Sequence, residues 1–283
     1  MKDFENKVAL VTGAGSPRGI GRAVVETLAR MGSRIVASDV EEPLPDVIHE
    51  VLGYKHGAKQ GLDDTVAAAQ ALGVEAIAIR ADITVPEDVE QLVAQAEDAF
   101  GRIDSLVNVA GGSWGSNRVG EYEPEQWLDT IKVNLFGAFL TSRYVLPIFE
   151  KQRGGVIVNV ASIAAERACE MVSAYSAAKA GLVALTRDIA VEYGPQGIRA
   201  NAVLPGDIQT DLLAMEFKGM ATMMGVAEDR IVEQAVAASP LRRLGIPADV
   251  AELVAFLCTD HASFLTGLAI PVTGGKELPW RTS

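Results

Sequence analysis

Cysteine is almost missing from this chain: Cys169 and Cys258 are the only two in 283 residues. They cannot form a disulfide framework, and their ordinary reading is a pair of buried thiols in a reducing compartment. Basic charge is also in short supply, with 25 lysines and arginines against 37 aspartates and glutamates and a formal net charge of −12. A surface of that sign repels phosphate backbones and anionic headgroups, so neither nucleic acid nor membrane is an expected partner. No uncharged run approaches the roughly 20 apolar residues that a membrane span needs. The opening residues Met1 to Lys7 are too charged, and the apolar run Val8 to Val11 too short, for a signal peptide. Histidine is scarce as well, and His49 and His56, with no third ligand near them, do not make a metal site. Short-period repeats, low-complexity tracts and interdomain linkers are lacking. What is present in quantity is apolar residue, 49% of the chain, which excludes a disordered polymer and points to a globular cytoplasmic protein.

Short β-branched runs alternate with amphipathic stretches. The runs are Val8 to Val11, Arg34 to Ala37, Ala76 to Ile79, Ile103 to Val109, Val156 to Val160, Ile198 to Leu204 and Leu268 to Val272. They read as strands buried on both faces. Between them Ile20, Val24 and Leu28 share a helical face, as do Val89, Val93 and Ala96. Pro86-Glu87-Asp88 and Pro247-Ala248-Asp249 open helices, and Gly101 and Gly194 follow last turns. Repeated strand–helix alternation predicts an α/β, doubly wound Rossmann fold. The expectation is one domain over residues 1–283, with a parallel seven-stranded sheet and helices on both faces. Two segments break the rhythm: an insertion at about 41–60, and a long connection at about 207–240 of the kind that often serves as a substrate lid.

Val11-Thr12-Gly13-Ala14-Gly15-Ser16-Pro17-Arg18-Gly19-Ile20-Gly21 joins the first strand to the first helix. Glycines there let backbone turn tightly and approach a pyrophosphate, and the helix start offers free N–H groups and partial positive charge. Asp39 follows the second strand, where a carboxylate accepts hydrogen bonds from ribose hydroxyls and repels the 2′-phosphate of NADP. Arg18 pulls the other way, because an arginine can pair with that phosphate, but its side chain can also swing into water. The expected cofactor is NAD.

Tyr175-Ser176-Ala177-Ala178-Lys179 opens a helix, so Tyr175 and Lys179 stack on one face. An ammonium beside a phenol favours phenolate, and burial opposes it, so a net lowering of about one to two pKa units is expected for Tyr175. Ser162 lies at the carboxyl end of the fifth run, where open parallel sheets bind ligands, and can hydrogen-bond the substrate oxygen that Tyr175 protonates.

With these motifs the chain resembles the short-chain dehydrogenase/reductase family from Lys7 to Gly275. The glycine loop is similar to the family's T-G-x(3)-G-x-G, with two additional residues between Gly13 and Gly19. Asp82-Ile83 resemble the pair beside the adenine ring, and Asn108-Val109-Ala110-Gly111 the family's N-N-A-G with valine for the second asparagine. Asn134 matches the helix asparagine that holds a proton-relay water. Pro205-Gly206-Asp207-Ile208-Gln209-Thr210 is similar to the segment that holds the nicotinamide carboxamide, and Thr273 stands where an aspartate is commoner. The resemblance implies hydride transfer at nicotinamide C4 coupled to proton transfer by Tyr175. Lys179 would depress the Tyr175 pKa and bind the nicotinamide ribose, Ser162 would polarise the substrate oxygen, and Asn134 would connect Lys179 to solvent. It also implies a homotetramer, or a homodimer, built through the helices of Asn134 and Tyr175 and through the last helix and strand.

For the substrate, Met215, Met220, Met223 and Met224 in the 207–240 segment suggest an apolar, adaptable cover. Trp114 and Met171 are expected to line the same pocket. The expected substrate is a moderately bulky, largely apolar secondary alcohol or ketone. Alternatives are an NADP-dependent ketone reductase of the same family, a sugar-nucleotide epimerase or dehydratase, and a non-catalytic NAD sensor. The stretch after Pro205 is short for the second substrate domain of epimerases, the four-residue Tyr–Lys spacing is narrower than in enoyl reductases, and a sensor has no use for the intact set.

Overall fold

A computed structural model describes residues 4–40, 59–113 and 115–278. Most of the 41–60 insertion, with His49 and His56, lies outside the described residues, as does Trp114. The chain runs β1 (Val8–Thr12), α1 (Ile20–Arg30), β2 (Arg34–Asp39), α2 (Lys59–Ala71), β3 (Ala76–Arg80), α3 (Pro86–Phe100) and β4 (Ser105–Asn108). Then come α4 (Pro124–Ile131), a π-helical turn (Lys132–Phe136), α5 (Gly137–Gln152), β5 (Gly155–Val160), α6 (Ser173–Tyr193) and β6 (Ile198–Pro205). The last elements are α7 (Asp211–Met224), α8 (Glu228–Ala238), α9 (Pro247–Cys258) and β7 (Ala269–Val272).

All seven strands pair parallel in one sheet, in the order β3-β2-β1-β4-β5-β6-β7. The period of two along β1 explains why its apolar run is continuous. Ala9 and Val11 pack with Val24 and Leu28 of α1, Leu62 of α2 and Val250 and Val254 of α9. Val8 and Leu10 point the other way, into Leu92 of α3, Val145 and Phe149 of α5 and Ile189 of α6. A strand clothed on both faces can hold no polar alternation, which is why the sequence reads as it does. Strand order reverses between β1 and β4, and that switch point opens a groove at the carboxyl ends of the strands.

The boundaries differ from expectation mainly at β4, which is trimmed to Ser105–Asn108. Gly101 closes α3 in the left-handed region at φ 72°, whereas Gly194 is right-handed and leads into a further short turn ended by Gly197. The 207–240 connection is chiefly two helices, α7 and α8, whose Phe217, Ala221 and Ile231 meet Leu244 in a small core of their own. Of its methionines Met215 is buried, while Met220, Met223 and Met224 are exposed.

Phe149 is fully buried, and a Cβ added to Gly155 would lie 2.2 Å from its ring. Phe149→Ala is therefore expected to lower unfolding free energy by about 3–5 kcal/mol in urea titration. A loss below about 1 kcal/mol would show that this face of the sheet does not carry the core.

Candidate active site

The groove floor is the glycine loop after β1. Gly13 has φ 69°, and a Cβ there would lie 2.5 Å from the backbone nitrogen of Ala110. The loop and the turn after β4 thus meet backbone to backbone, and the Thr12 hydroxyl accepts from the N–H groups of Val109 and Ala110 at 3.2 and 3.4 Å. Gly21 is pressed as closely on Gly13, whose carbonyl oxygen would lie 2.1 Å from an added Cβ. Helix α1 starts at Ile20 behind Gly19, with no side-chain cap and no acid in its first turn. Its first N–H groups and partial positive charge are thus left for an anion.

Asp39 ends β2 and accepts from Gly15 N–H at 2.7 Å and Val40 N–H at 2.9 Å. Its carboxylate therefore positions the glycine loop. Behind the loop, α2 supplies Thr65, which donates to the Ala14 carbonyl at 2.8 Å, and Gly61, whose Cα packs against the Gly15 carbonyl. Neither residue was expected from sequence, since an unpatterned insertion precedes them. The arrangement of glycines, helix start and carboxylate fits the pyrophosphate and ribose of a dinucleotide.

The other expected groove residues divide into two sets. Asp82 accepts from the backbone and hydroxyl of Thr84 at 2.8 and 2.7 Å, and Ile83 is buried with Val89 and Leu140. Asn108 turns away from the groove. Its amide donates to Asn159 at 2.8 Å, its oxygen accepts from Thr141 at 2.7 Å, and Asn159 continues to Thr186 at 2.9 Å. The Asn108 side chain thus ties β4 to β5 and α5, since a buried amide takes the partners at hand. Pro205 ends β6, Gly206 donates to the Val272 carbonyl at 3.0 Å, and Ile208 is buried. Thr210 caps α7, its oxygen accepting from Leu213 N–H at 3.2 Å, which leaves the hydroxyl hydrogen to donate elsewhere.

Across the groove stand Asn134, Ser162, Tyr175 and Lys179. Asn134 lies in the π-helical turn, donates to the carbonyls of Gly112 and Thr130 at 2.6 and 2.9 Å, and accepts from Gly112 N–H at 3.2 Å. A Cβ on Gly111 would lie 2.5 Å from the Asn134 amide oxygen and 3.2 Å from the Lys179 ammonium, so only glycine lets these two groups approach. Ser162 accepts from Ala164 N–H at 3.2 Å and pairs through its hydroxyl with Tyr175. Lys179 is 3% exposed, lies 5.5 Å from the Tyr175 ring centroid and donates to the Val160 carbonyl at 2.8 Å.

Burial governs the charges here. It pushes Tyr175 well above the usual phenol range, and the nearby Glu216 pushes it further, against the Ser162 hydrogen bond. Burial also pulls Lys179 down to about 7. The expected lowering of Tyr175 is therefore corrected for this structure. The ammonium sits over the ring and bonds a backbone carbonyl, and low polarity disfavours both charged forms at once. Glu216, on α7, is an exposed residue whose carboxyl end is crowded by its neighbours. Its carboxyl is pushed up to about 7 by burial and by Asp207, against Lys276. No sequence pattern had singled it out.

A family model described as enoyl-(acyl carrier protein) reductase matches residues 13–277. Cyclohexanol dehydrogenase of Acinetobacter sp. (strain SE19) is 38% identical over 272 residues, covering 96% of this chain and 95% of that one. The chain belongs to the short-chain dehydrogenase/reductase family. Another relative of this dehydrogenase/reductase is cis-4-hydroxycyclohexanecarboxylate dehydrogenase of Sinomonas cyclohexanicum, 36% identical over 96% of this chain and 97% of the relative. Among solved structures, carveol dehydrogenase from Mycobacterium avium in complex with NAD superposes with a TM-score of 0.89 at 28% identity, over 96% of this chain and 98% of that one. Secondary alcohols and ketones are thus the oxidoreductase chemistry of its relatives. No helix among the described residues is long and apolar enough to cross a membrane.

In the loop before α6, Met171 adopts φ 64° and its carbonyl accepts from Asn117 N–H at 2.9 Å. Arg167 donates to the Lys276 carbonyl at 2.7 Å, and Lys276 pairs with Asp207 at 2.5 Å. The segment after β7 thereby straps the Met171 loop to the base of α7.

Lys179 binds a proton more weakly folded, near 7, than unfolded, near 10.5. Between those values the unfolded chain holds more protons, so Lys179 makes the cofactor-free protein gain stability as pH rises from about 7 to 10. Lys179→Met is expected to remove that part of the rise in urea midpoint, and the same slope in both proteins would contradict the burial of a charge at this point.

Proposed function

We propose that this protein interconverts a secondary alcohol and a ketone, with NAD as hydride carrier and Tyr175 as the acid and base. The observation that carries the reading is the Ser162–Tyr175 hydroxyl pair with Lys179 beneath it, facing the glycine loop across the switch-point groove. Gly13, Gly19, Ile20 and Gly21 would hold the pyrophosphate, Asp39 the adenosine ribose, and Lys179 and Tyr175 the nicotinamide ribose. Asp82 and Ile83 would flank the adenine, with Ala110 and Gly111 giving close backbone approach. Pro205, Gly206, Ile208 and Thr210 would hold the carboxamide. When bound, the nicotinamide supplies a site that accepts or returns hydride.

Ser162 polarises the substrate oxygen, and Tyr175 removes its proton during oxidation or returns it during reduction. Lys179, charged near neutral pH once a partner offsets its burial, stabilises the phenolate, and Asn134 holds the neighbouring backbone in place. NAD over NADP is supported by Asp39 at the ribose end of β2 and by Arg18, whose guanidinium is engaged by Asp211 rather than turned to the ribose. An alicyclic substrate is supported by the printed names of the relatives, cyclohexanol and cis-4-hydroxycyclohexanecarboxylate dehydrogenases. Met171 and Met215 would cover its ring.

A homotetramer in the cytoplasm completes the reading. Leu128, Phe136 and Phe139 are exposed on the helices beside Asn134, and Phe256, Phe264 and Leu268 are exposed around α9 and β7.

Purified protein supplied with cyclohexanol or cyclohexanone is expected to turn over with NAD(H) in preference to NADP(H), read by absorbance of the reduced cofactor. Tyr175→Phe is expected to lower kcat by about 10²- to 10⁴-fold. Wild-type turnover in that variant would overturn the acid–base assignment, and a higher kcat/KM with NADP would overturn the role of Asp39.

A further inference from the structure

The start of α7 stands beside the glycine loop, and the two are tied to each other. Asp211, the first residue of α7, is 4% exposed. One of its oxygens accepts from the Ser16 hydroxyl at 3.1 Å and from Arg18 N–H at 3.3 Å, and the other pairs with the Arg18 guanidinium. These partners lie 195 and 193 residues away in the chain.

The two sides of this tie are anchored differently. The glycine loop is fixed from below by Asp39 and from behind by Thr65. The other side, α7 with α8, rests on its own small core, separate from the two clusters that clothe the sheet, so a swing of that pair would open neither. Close by lie the free N–H groups that start α1. A dinucleotide held by those groups would lie beside the point where Asp211 and Arg18 meet.

We propose that Asp211 and Arg18 form a clasp across the dinucleotide groove, and that opening this clasp sets the rate at which the cofactor leaves. The inference rests on the cofactor reading above. A carboxylate this buried is costly to leave unpaired, so the clasp holds until the helix pair swings out and water reaches Asp211. The Arg18 side chain, by contrast, is 73% exposed, so the pair is open to screening by salt.

The test is stopped-flow release of NADH from the loaded protein, chased with excess NAD. It uses wild type, Arg18→Ala, Asp211→Asn and the double variant. Each single change is expected to speed release about tenfold, and the double change no more than the stronger single one, because both break one interaction. Added salt is expected to speed release from wild type and not from Arg18→Ala. Since the Arg18 side chain faces solvent, that variant keeps its fold, and in the cofactor-free protein it is expected to quicken amide exchange over residues 211–224. If NADH binds but leaves all four proteins at one rate, the clasp is overturned and the cofactor reading stands. If the effects of the two changes multiply, the residues act separately and the clasp is likewise overturned. A wild-type protein that takes up no NADH overturns both.

Discussion

The hydrogen bond from the Lys179 ammonium to the Val160 carbonyl is the constraint on which the site depends. It draws a long cationic side chain inward until its end lies under the Tyr175 ring and beside the Asn134 amide. Three elements must then agree. Strand β5 has to end at Val160, α6 has to begin early enough to stack Tyr175 on Lys179, and Gly111 has to lack a side chain. Once they do, a phenol and an amine share a poorly hydrated corner, and neither easily carries charge alone. That mutual dependence lets whatever binds in the groove decide their protonation.

The groove opposite obeys similar logic with backbone in place of side chains. Gly13, Gly21 and Gly61 are each met by a carbonyl or amide at a distance no Cβ could occupy, so the loop, the turn after β4 and α2 form one rigid floor. Asp39 fixes the outer edge of that floor through Gly15. Tight backbone packing there contrasts with the α7–α8 pair, which rests on a small core of its own.

Much of this was legible in the sequence, for identifiable reasons. Strands buried on both faces leave unbroken apolar runs, and the runs at Val8, Val156 and Ile198 mark β1, β5 and β6 almost to the residue. Tyr175 and Lys179 declared their shared face through helical spacing, and Ser162 through its place after a strand. Other features were hidden because they depend on distant partners. Nothing near Asp211 signals Ser16 or Arg18, and nothing near Asn108 signals Asn159 and Thr141. The helices of the 207–240 segment were obscured by methionines that face solvent rather than core. The direction of the Tyr175 shift was misjudged because burial, which was weighed against the ammonium, proves the larger effect once the phenol is fully enclosed.

The central claim is that the protonation of Tyr175 governs turnover and that its surroundings hold that proton tightly. The charge of Glu216 contributes to the hold, so Glu216→Gln leaves the phenol easier to ionise. The most direct measurement is the pH dependence of kcat/KM for alcohol oxidation in both proteins. The account predicts that the rising limb moves to lower pH in the variant. A limb at the same pH in both, or one displaced upward, would contradict it.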